Sequence, residues 1–306
     1  MSEIRVNNIT NRTGTSGPDI GGIPVIDSTS HFVVPTGRTG QRYADGGENI
    51  VRDGLVLYLD AKYSYPGASG TNPDVYTWYD MSGNGNDGEL LNSPIYSSTS
   101  GGIIDFSSGN TNKQISFGPN SYSKLKNYSQ GTIECWINIP TGRGFDRDVI
   151  FALASQSSVD KWIRFAVRTG IVDTSKYSLA IGGQFAGNST GTTAIELQGS
   201  IELSLGNWVH CVASSDGNEY KLFVNGVEDT LSPIGSTVRN YGIWLNFGQV
   251  LGSDSENVEA SLGVLPRSSG DTDLFEGIIS NFKLYNRPLT ASEVLQNYNA
   301  TKDRFL

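Results

Sequence analysis

Histidine and cysteine are nearly missing from this chain, two of each in 306 residues. Two cysteines do not make a disulfide framework, and His31 and His210 alone leave little material for a catalytic triad or a histidine-rich metal site. Charge is also scarce. Only 17% of residues are charged, against an average of about 25%. The 22 Lys and Arg are outnumbered by 31 Asp and Glu, for a net charge of −9, so there is no basic footprint for a phosphate backbone and nucleic acid is not an expected partner. Long apolar runs are absent as well. A stretch such as Val149–Ala154 falls far short of the roughly 20 residues that span a bilayer, so no membrane insertion is expected. The start, Met1-Ser2-Glu3-Ile4-Arg5, has neither the basic nor the apolar part of a secretory signal. A soluble chain that folds without export is the expectation.

Glycine, with 37 residues, and aromatics, at 10%, are plentiful, a composition that suits an all-β protein with many turns. Short β-rich runs recur from Leu55 onward: 55–59, 113–117, 132–139, 161–168, 177–181, 208–213, 220–224, 243–247 and 278–285. So many strands need a sandwich or barrel to hide their faces. Alternation along 132–139 puts Ile133, Cys135, Ile137 and Ile139 on a dry face and Thr132, Glu134, Trp136 and Asn138 on a mixed one. Asp216-Gly217-Asn218 and Asn225-Gly226 read as hairpin turns, the second with the two positive-φ positions of a type I′ turn. Thr290-Ala291-Ser292-Glu293 has capping-box spacing and opens a helix with Val294, Leu295 and Tyr298 as its apolar face, ending near Asn299 and packed on the sandwich rim. Cys135 and Cys211 read as buried free thiols, with a cross-strand disulfide as the alternative.

Residues 1–48 differ from the rest. They hold eight glycines and three prolines around two short β-like runs, too little to bury a core. They read as an extended arm, lying on a neighbouring subunit or folded back over residues 49–306, which form the sandwich.

Four stretches resemble the laminin-G-like, concanavalin-A-like jelly-roll family in order and spacing across about residues 50–300. They are Gly54–Asp60 (GLVLYLD) with Trp78–Gly88 (WYDMSGNGNDG); Gly131–Ile137 (GTIECWI); Asn207–Cys211 (NWVHC) through Val224-Asn225-Gly226; and Phe275–Leu289 (FEGIISNFKLYNRPL). The resemblance implies a two-sheet antiparallel jelly-roll sandwich with one short C-terminal helix. The arm, with Ile4–Ile9 (IRVNNI) and Phe32–Gly37 (FVVPTG), is similar to N-terminal segments of virion structural proteins from tailed phages of marine cyanobacteria. That likeness implies a virion protein assembled in the host cytoplasm. Its arm would bind other virion proteins and further copies of itself, a trimer by analogy with fibres, through Ile4, Val6, Ile9, Phe32, Val33 and Val34. The displayed sandwich would bind host-surface glycan, or make only protein contacts as a decoration or collar subunit. A bacterial lectin or adhesin is a further alternative.

Some members of the family are glycosidases with paired carboxylates two residues apart on one strand. No Glu here is followed two residues later by Asp, so an enzyme is not expected, although carboxylates distant in sequence could converge. Aromatics cluster after the first core strand, and sugars lay their apolar face on such rings while amides and carboxylates take the hydroxyls. Tyr63, Tyr65, Tyr76, Tyr79, Asn84 and Asn86 are therefore the glycan candidates, and Trp78 reads better as a rim plug. The loop 80–88 alternates carboxylates and amides with glycines, which suits either a calcium cage or plain turn chemistry. Asp80 and Asp87, with Asp105 and Asp273 as remote ligands, are the calcium candidates.

Overall fold

The computed structural model describes residues 19–20, 23–24, 49–63, 76–107, 112–118, 121–142, 147–155, 161–170, 175–186, 192–235, 242–246, 258–267 and 270–306. The chain divides into two units, Met1–Asn49 and Ile50–Leu306. In the first, Asp19–Ile20 pairs antiparallel with Ile23–Pro24. The arm positions Ile4, Val6, Ile9, Phe32, Val33 and Val34 lie outside the described residues.

The second unit is built from β1 (Leu55–Asp60), β2 (Thr77–Trp78), β3 (Gly88–Leu91), β4 (Ile95–Ser97), β5 (Ile103–Asp105), β6 (Gln114–Ser116), α1 (Ser121–Leu125), β7 (Gly131–Asn138) and β8 (Arg147–Ser155). These are followed by β9 (Trp162–Thr169), β10 (Tyr177–Ala186), β11 (Thr192–Gly199), β12 (Trp208–Ser215), β13 (Tyr220–Val224), β14 (Val227–Glu228), β15 (Leu231–Pro233), β16 (Val258–Leu262), β17 (Ile278–Tyr285) and α2 (Ala291–Thr301). One sheet runs β15-β11-β10-β9-β8-β16-β6-β3-β2 and the other β14-β13-β12-β7-β17-β5-β4, with β1 also pairing β17. Every pairing is antiparallel. The expected two-sheet sandwich with one C-terminal helix is therefore the observed fold.

Alternation sorts the side chains. Ile133, Cys135 and Ile137 of β7 point between the sheets, where Phe282 of β17 stacks on Phe151 of β8 with ring centroids 5.5 Å apart. Cys135 lies opposite Cys211 in register, and both are buried free thiols. Asn225 and Gly226 take φ of 51° and 80°, the twist that lets β13 return as β14. The run 243–247, expected as a strand, is not one over its described part. Trp244 and Leu245 instead plug the core, and a Cβ at Gly131 would collide with the Trp244 indole.

The outer face of β7 departs from its expected mixed character: Thr132, Glu134 and Trp136 are all buried, because α2 lies across it and not on the rim. Glu134 Oε1 accepts from Lys283 Nζ at 2.8 Å and its Oε2 from Asn297 Nδ2 of α2 at 2.6 Å, while His210 Nε2 lies 3.2 Å from Oε1. Burial alone would raise the Glu134 carboxyl. The Lys283 ammonium, with His210, overrides this and holds it at about 2. Beyond the helix, Arg304 Nη1 grips both oxygens of buried Asp60 at 2.8 and 2.9 Å, which fastens the C-terminal turn to β1.

Candidate functional site

The loop between β2 and β3 is knit by one buried carboxylate. Asp80 Oδ1 accepts from Tyr58 N and Ser82 N, and its Oδ2 from Ser82 Oγ and Asn86 N, all within 2.9 Å. Asp87 Oδ1 accepts from Asp80 N at 2.8 Å. Asn86 Nδ2 donates to Val56 O at 2.8 Å, and Asn84 Nδ2 to Ser82 Oγ at 2.9 Å and Val56 O at 3.3 Å. The loop so docks on the edge of β1 that β17 leaves open. Gly88 ends it because a Cβ there would run into the Ile115 side chain.

Beside the loop stands α1. Lys124 Nζ reaches back to Asn86 Oδ1 at 3.0 Å and Gly85 O at 3.4 Å, and Ser121 Oγ accepts from Ala260 N of β16 at 3.1 Å. Between loop and helix a small cleft, open to solvent, enters the seam between the sheets. Its floor is Leu57 and Leu284 from one sheet, Phe117 and Phe151 from the other, and Leu125 of α1. Asn86, Asp87, Ser121 and Lys124 supply its polar groups. The result is an apolar slot with donors and acceptors, a combination that suits a small ligand with two chemically different sides.

The sequence-predicted positions divide. Asn86 reaches the cleft, but its amide nitrogen, like that of Asn84, donates to Val56 O of β1. Tyr63 and Tyr76 are exposed and Tyr79 is half-buried; Tyr65 lies outside the described residues. Lys62 Nζ sits 4.6 Å from the Tyr63 ring centre. Trp78 is fully buried in the core.

The four calcium candidates do not share a site. Asp80 already accepts four hydrogen bonds, one from Tyr58 N of β1 and three from Ser82 and Asn86 of the loop, and Asp105 Oδ1 takes the amide and hydroxyl of Ser107, both at 2.6 Å. Asp273 Oδ2 is paired with Arg164 at 2.6 Å. Among the described residues no three His, Cys, Asp or Glu side chains form a group able to hold a metal ion. Sequence spacing showed oxygen-rich turns, but neutral amide donors and a guanidinium fill the positions a cation would take.

Lys124 and the floor residues were missed. The sequence offered one signal, a helix start at Asn120-Ser121. Nothing in a single run of residues foretold that Leu57 and Phe151 would share a wall, since they sit on different sheets.

A second polar cluster lies on β9 and β11. Arg164, almost wholly buried, bonds Glu196 Oε1 and Asp273 Oδ2, each at 2.6 Å, and its guanidinium lies 4.3 Å from the Trp162 ring centre. Arg168 meets Glu196 Oε2 at 2.7 Å. Burial works against the Glu196 charge, but Arg164, Arg168 and Arg147 together keep its carboxyl below the usual carboxylate range. A carboxylate so held has no proton to give as a general acid at neutral pH.

A family model described as the concanavalin A-like lectin/glucanases superfamily matches residues 108–295. No curated protein matches the chain. Among solved structures it is similar to domain 4 of AbnA, a GH43 extracellular arabinanase from Geobacillus stearothermophilus, in complex with arabinotriose. The TM-score there is 0.50 at 17% identity, over 80% of this chain and 98% of that one. It is similar too to the receptor binding domain of botulinum neurotoxin C/D mosaic serotype, with a TM-score of 0.51 at 13% identity over 81% of this chain and 52% of that one. The Trypanosoma rangeli sialidase in complex with sialic acid matches with a TM-score of 0.51 at 15% identity, over 89% of this chain and 36% of that one. The chain thus spans nearly all of the arabinanase domain, about half of the toxin domain and about a third of the sialidase.

Proposed function

The chain belongs to the concanavalin A-like lectin/glucanases superfamily, and from that premise we propose that it is a non-enzymatic glycan-binding protein of a virion. Residues 1–48 hold it to the particle and to further copies of itself, and the sandwich of residues 49–306 faces the host surface. The observation that carries the binding reading is the cleft, where an apolar floor adjoins Asn86, Asp87 and Lys124. Fold alone does not supply a function, so the weight rests on this site. Binding without cleavage is supported by the state of the carboxylates: Glu134, Glu196, Asp60 and Asp273 are each tied to a cation. The virion reading is supported by the glycine-rich arm and by its likeness to phage structural proteins at residues 4–9 and 32–37.

One such site binds weakly, and useful attachment needs several copies acting together, which a particle surface provides. The test is a glycan array probed with the full chain multimerised on beads, run beside Lys124→Ala. We expect retention on a subset of glycans, weakened by the substitution. A silent array would overturn the binding reading and leave a decoration subunit that makes only protein contacts. That second reading is favoured by one observation, that the Asn84 and Asn86 amide nitrogens are spent on Val56 O of β1. Adsorption of particles carrying Tyr63→Ala plus Tyr79→Ala tests the tyrosines separately: normal assembly with unchanged adsorption would remove them from the site.

A further inference from the structure

We propose that the cleft between α1 and the 80–88 loop selects an acylamino sugar, with the acyl methyl group on the apolar floor and the amide at the rim. This rests on the glycan-binding reading and goes beyond it in naming the ligand class.

The argument starts from the mismatch between the floor and a plain sugar. Leu57, Phe117, Leu125, Phe151 and Leu284 present only carbon, and all but half-buried Phe117 are buried. An unsubstituted pyranose carries hydroxyls around its edge. Any hydroxyl pushed onto this floor would lose its water partners and gain none, which disfavours binding. A methyl group suffers no such loss and removes apolar surface of the floor from water. The ligand therefore needs one apolar substituent short enough for a slot of this size.

The rim then decides how that substituent is attached. It offers a cationic donor, Lys124 Nζ, beside two acceptors, Asn86 Oδ1 and the Asp87 carboxylate. Two of the three ammonium hydrogens serve Asn86 and Gly85 among the described residues, and a third remains for a ligand oxygen. A secondary amide has one carbonyl acceptor and one N–H donor, so it answers both sides of the rim at once. An ester or ether linkage would satisfy only the lysine. A free amino group, charged at neutral pH, would meet the lysine with like charge. The acetamido group fits floor and rim together.

The experiment is ligand-observed NMR on the full chain with two sugar pairs, N-acetylglucosamine against glucose and N-acetylgalactosamine against galactose. The acetylated member should bind about tenfold more tightly or better, the scale at which a pocket reads one small apolar group, and its acetyl methyl should receive the strongest saturation transfer. Lys124→Ala, at an exposed side chain, should weaken the acetylated sugars selectively. Leu125→Phe, which fills the slot, should do the same with the β-sheet circular dichroism kept; if Leu125→Phe does not fold, Lys124→Ala alone decides. Equal affinity within each pair, or acetylated-sugar binding untouched by Lys124→Ala, overturns this proposal while leaving glycan binding in place. An array on which no sugar is retained overturns both.

Discussion

Trp136 and Trp208 are the same residue type on adjacent strands, flanked by similar apolar neighbours, yet they carry unequal weight. Trp136 is fully buried. Its Nε1 donates to Thr301 Oγ1 at 2.8 Å, and its ring stacks on Phe305 at 4.4 Å between centroids. Trp208 is half-buried and meets the Phe305 ring at 4.8 Å with a tilt of 45°. Truncating a large buried aromatic costs about 3–5 kcal/mol, and Trp136→Ala is expected to fall in that range by denaturant unfolding, with Trp208→Ala clearly below it. Equal losses would mean that the tail carrying Phe305 does not cover the sheet as described. Local pattern treats the two alike because what separates them is the C-terminal tail, which no window around either residue contains.

At the scale of the element, α2 shows where legibility stops. Its start was readable: Glu293 N donates to Thr290 Oγ1 at 3.3 Å, and Thr290 N to Glu293 Oε2 at 2.9 Å, the reciprocal pairing that the spacing predicts. Its buried face was not. Val294 faces in as expected, but Leu295 is 46% exposed, while Asn297 and Thr301 are buried. The sheet beneath is polar at this point, so an amide that reaches Glu134 and Tyr285 packs better there than a leucine would. The Glu134 carboxyl lies below its ordinary value, so the pairing stabilises the fold above that value and is lost as protons bind in the native state. Stability should therefore decline as pH falls from about 4.5 toward about 2, measured as the denaturant midpoint. Glu134→Gln should flatten this decline and lower stability at neutral pH, since Lys283 would stay buried without its partner. An unchanged acid profile would show that the ion pair does not persist in solution.

For the whole molecule, the second unit holds its own inter-sheet core and the seal of α2, so it has what it needs to fold without residues 1–48. Deleting those residues is expected to leave melting behaviour close to that of the full chain and, on the proposal that the arm joins copies, to remove that association in light scattering. Loss of folding would place the arm in the domain's own core, and assembly that persists would remove it from the contacts between copies. The same scale explains the calcium candidates. Asp80 and Asp105 are taken by local turns, from Ser82 and Asn86 in one case and Ser107 in the other, whereas sheet order brings Arg164 to Asp273.

By itself the sequence determined the fold class, eight of the seventeen strands described in the second unit, the Asn225-Gly226 turn and the cap of α2. Each follows from interactions a few residues long: alternation with period two, positive φ at Asn-Gly, a hydroxyl and a carboxylate three residues apart. Only the tertiary structure decided that Trp244 is a core plug and no strand, that the outer face of β7 is buried, and that a cleft floored by Leu57 and Phe151 opens beside Lys124. Those outcomes depend on which strands lie across the sandwich from one another. Closing the two sheets brings together residues far apart in the chain, and a one-dimensional pattern carries no term for that distance.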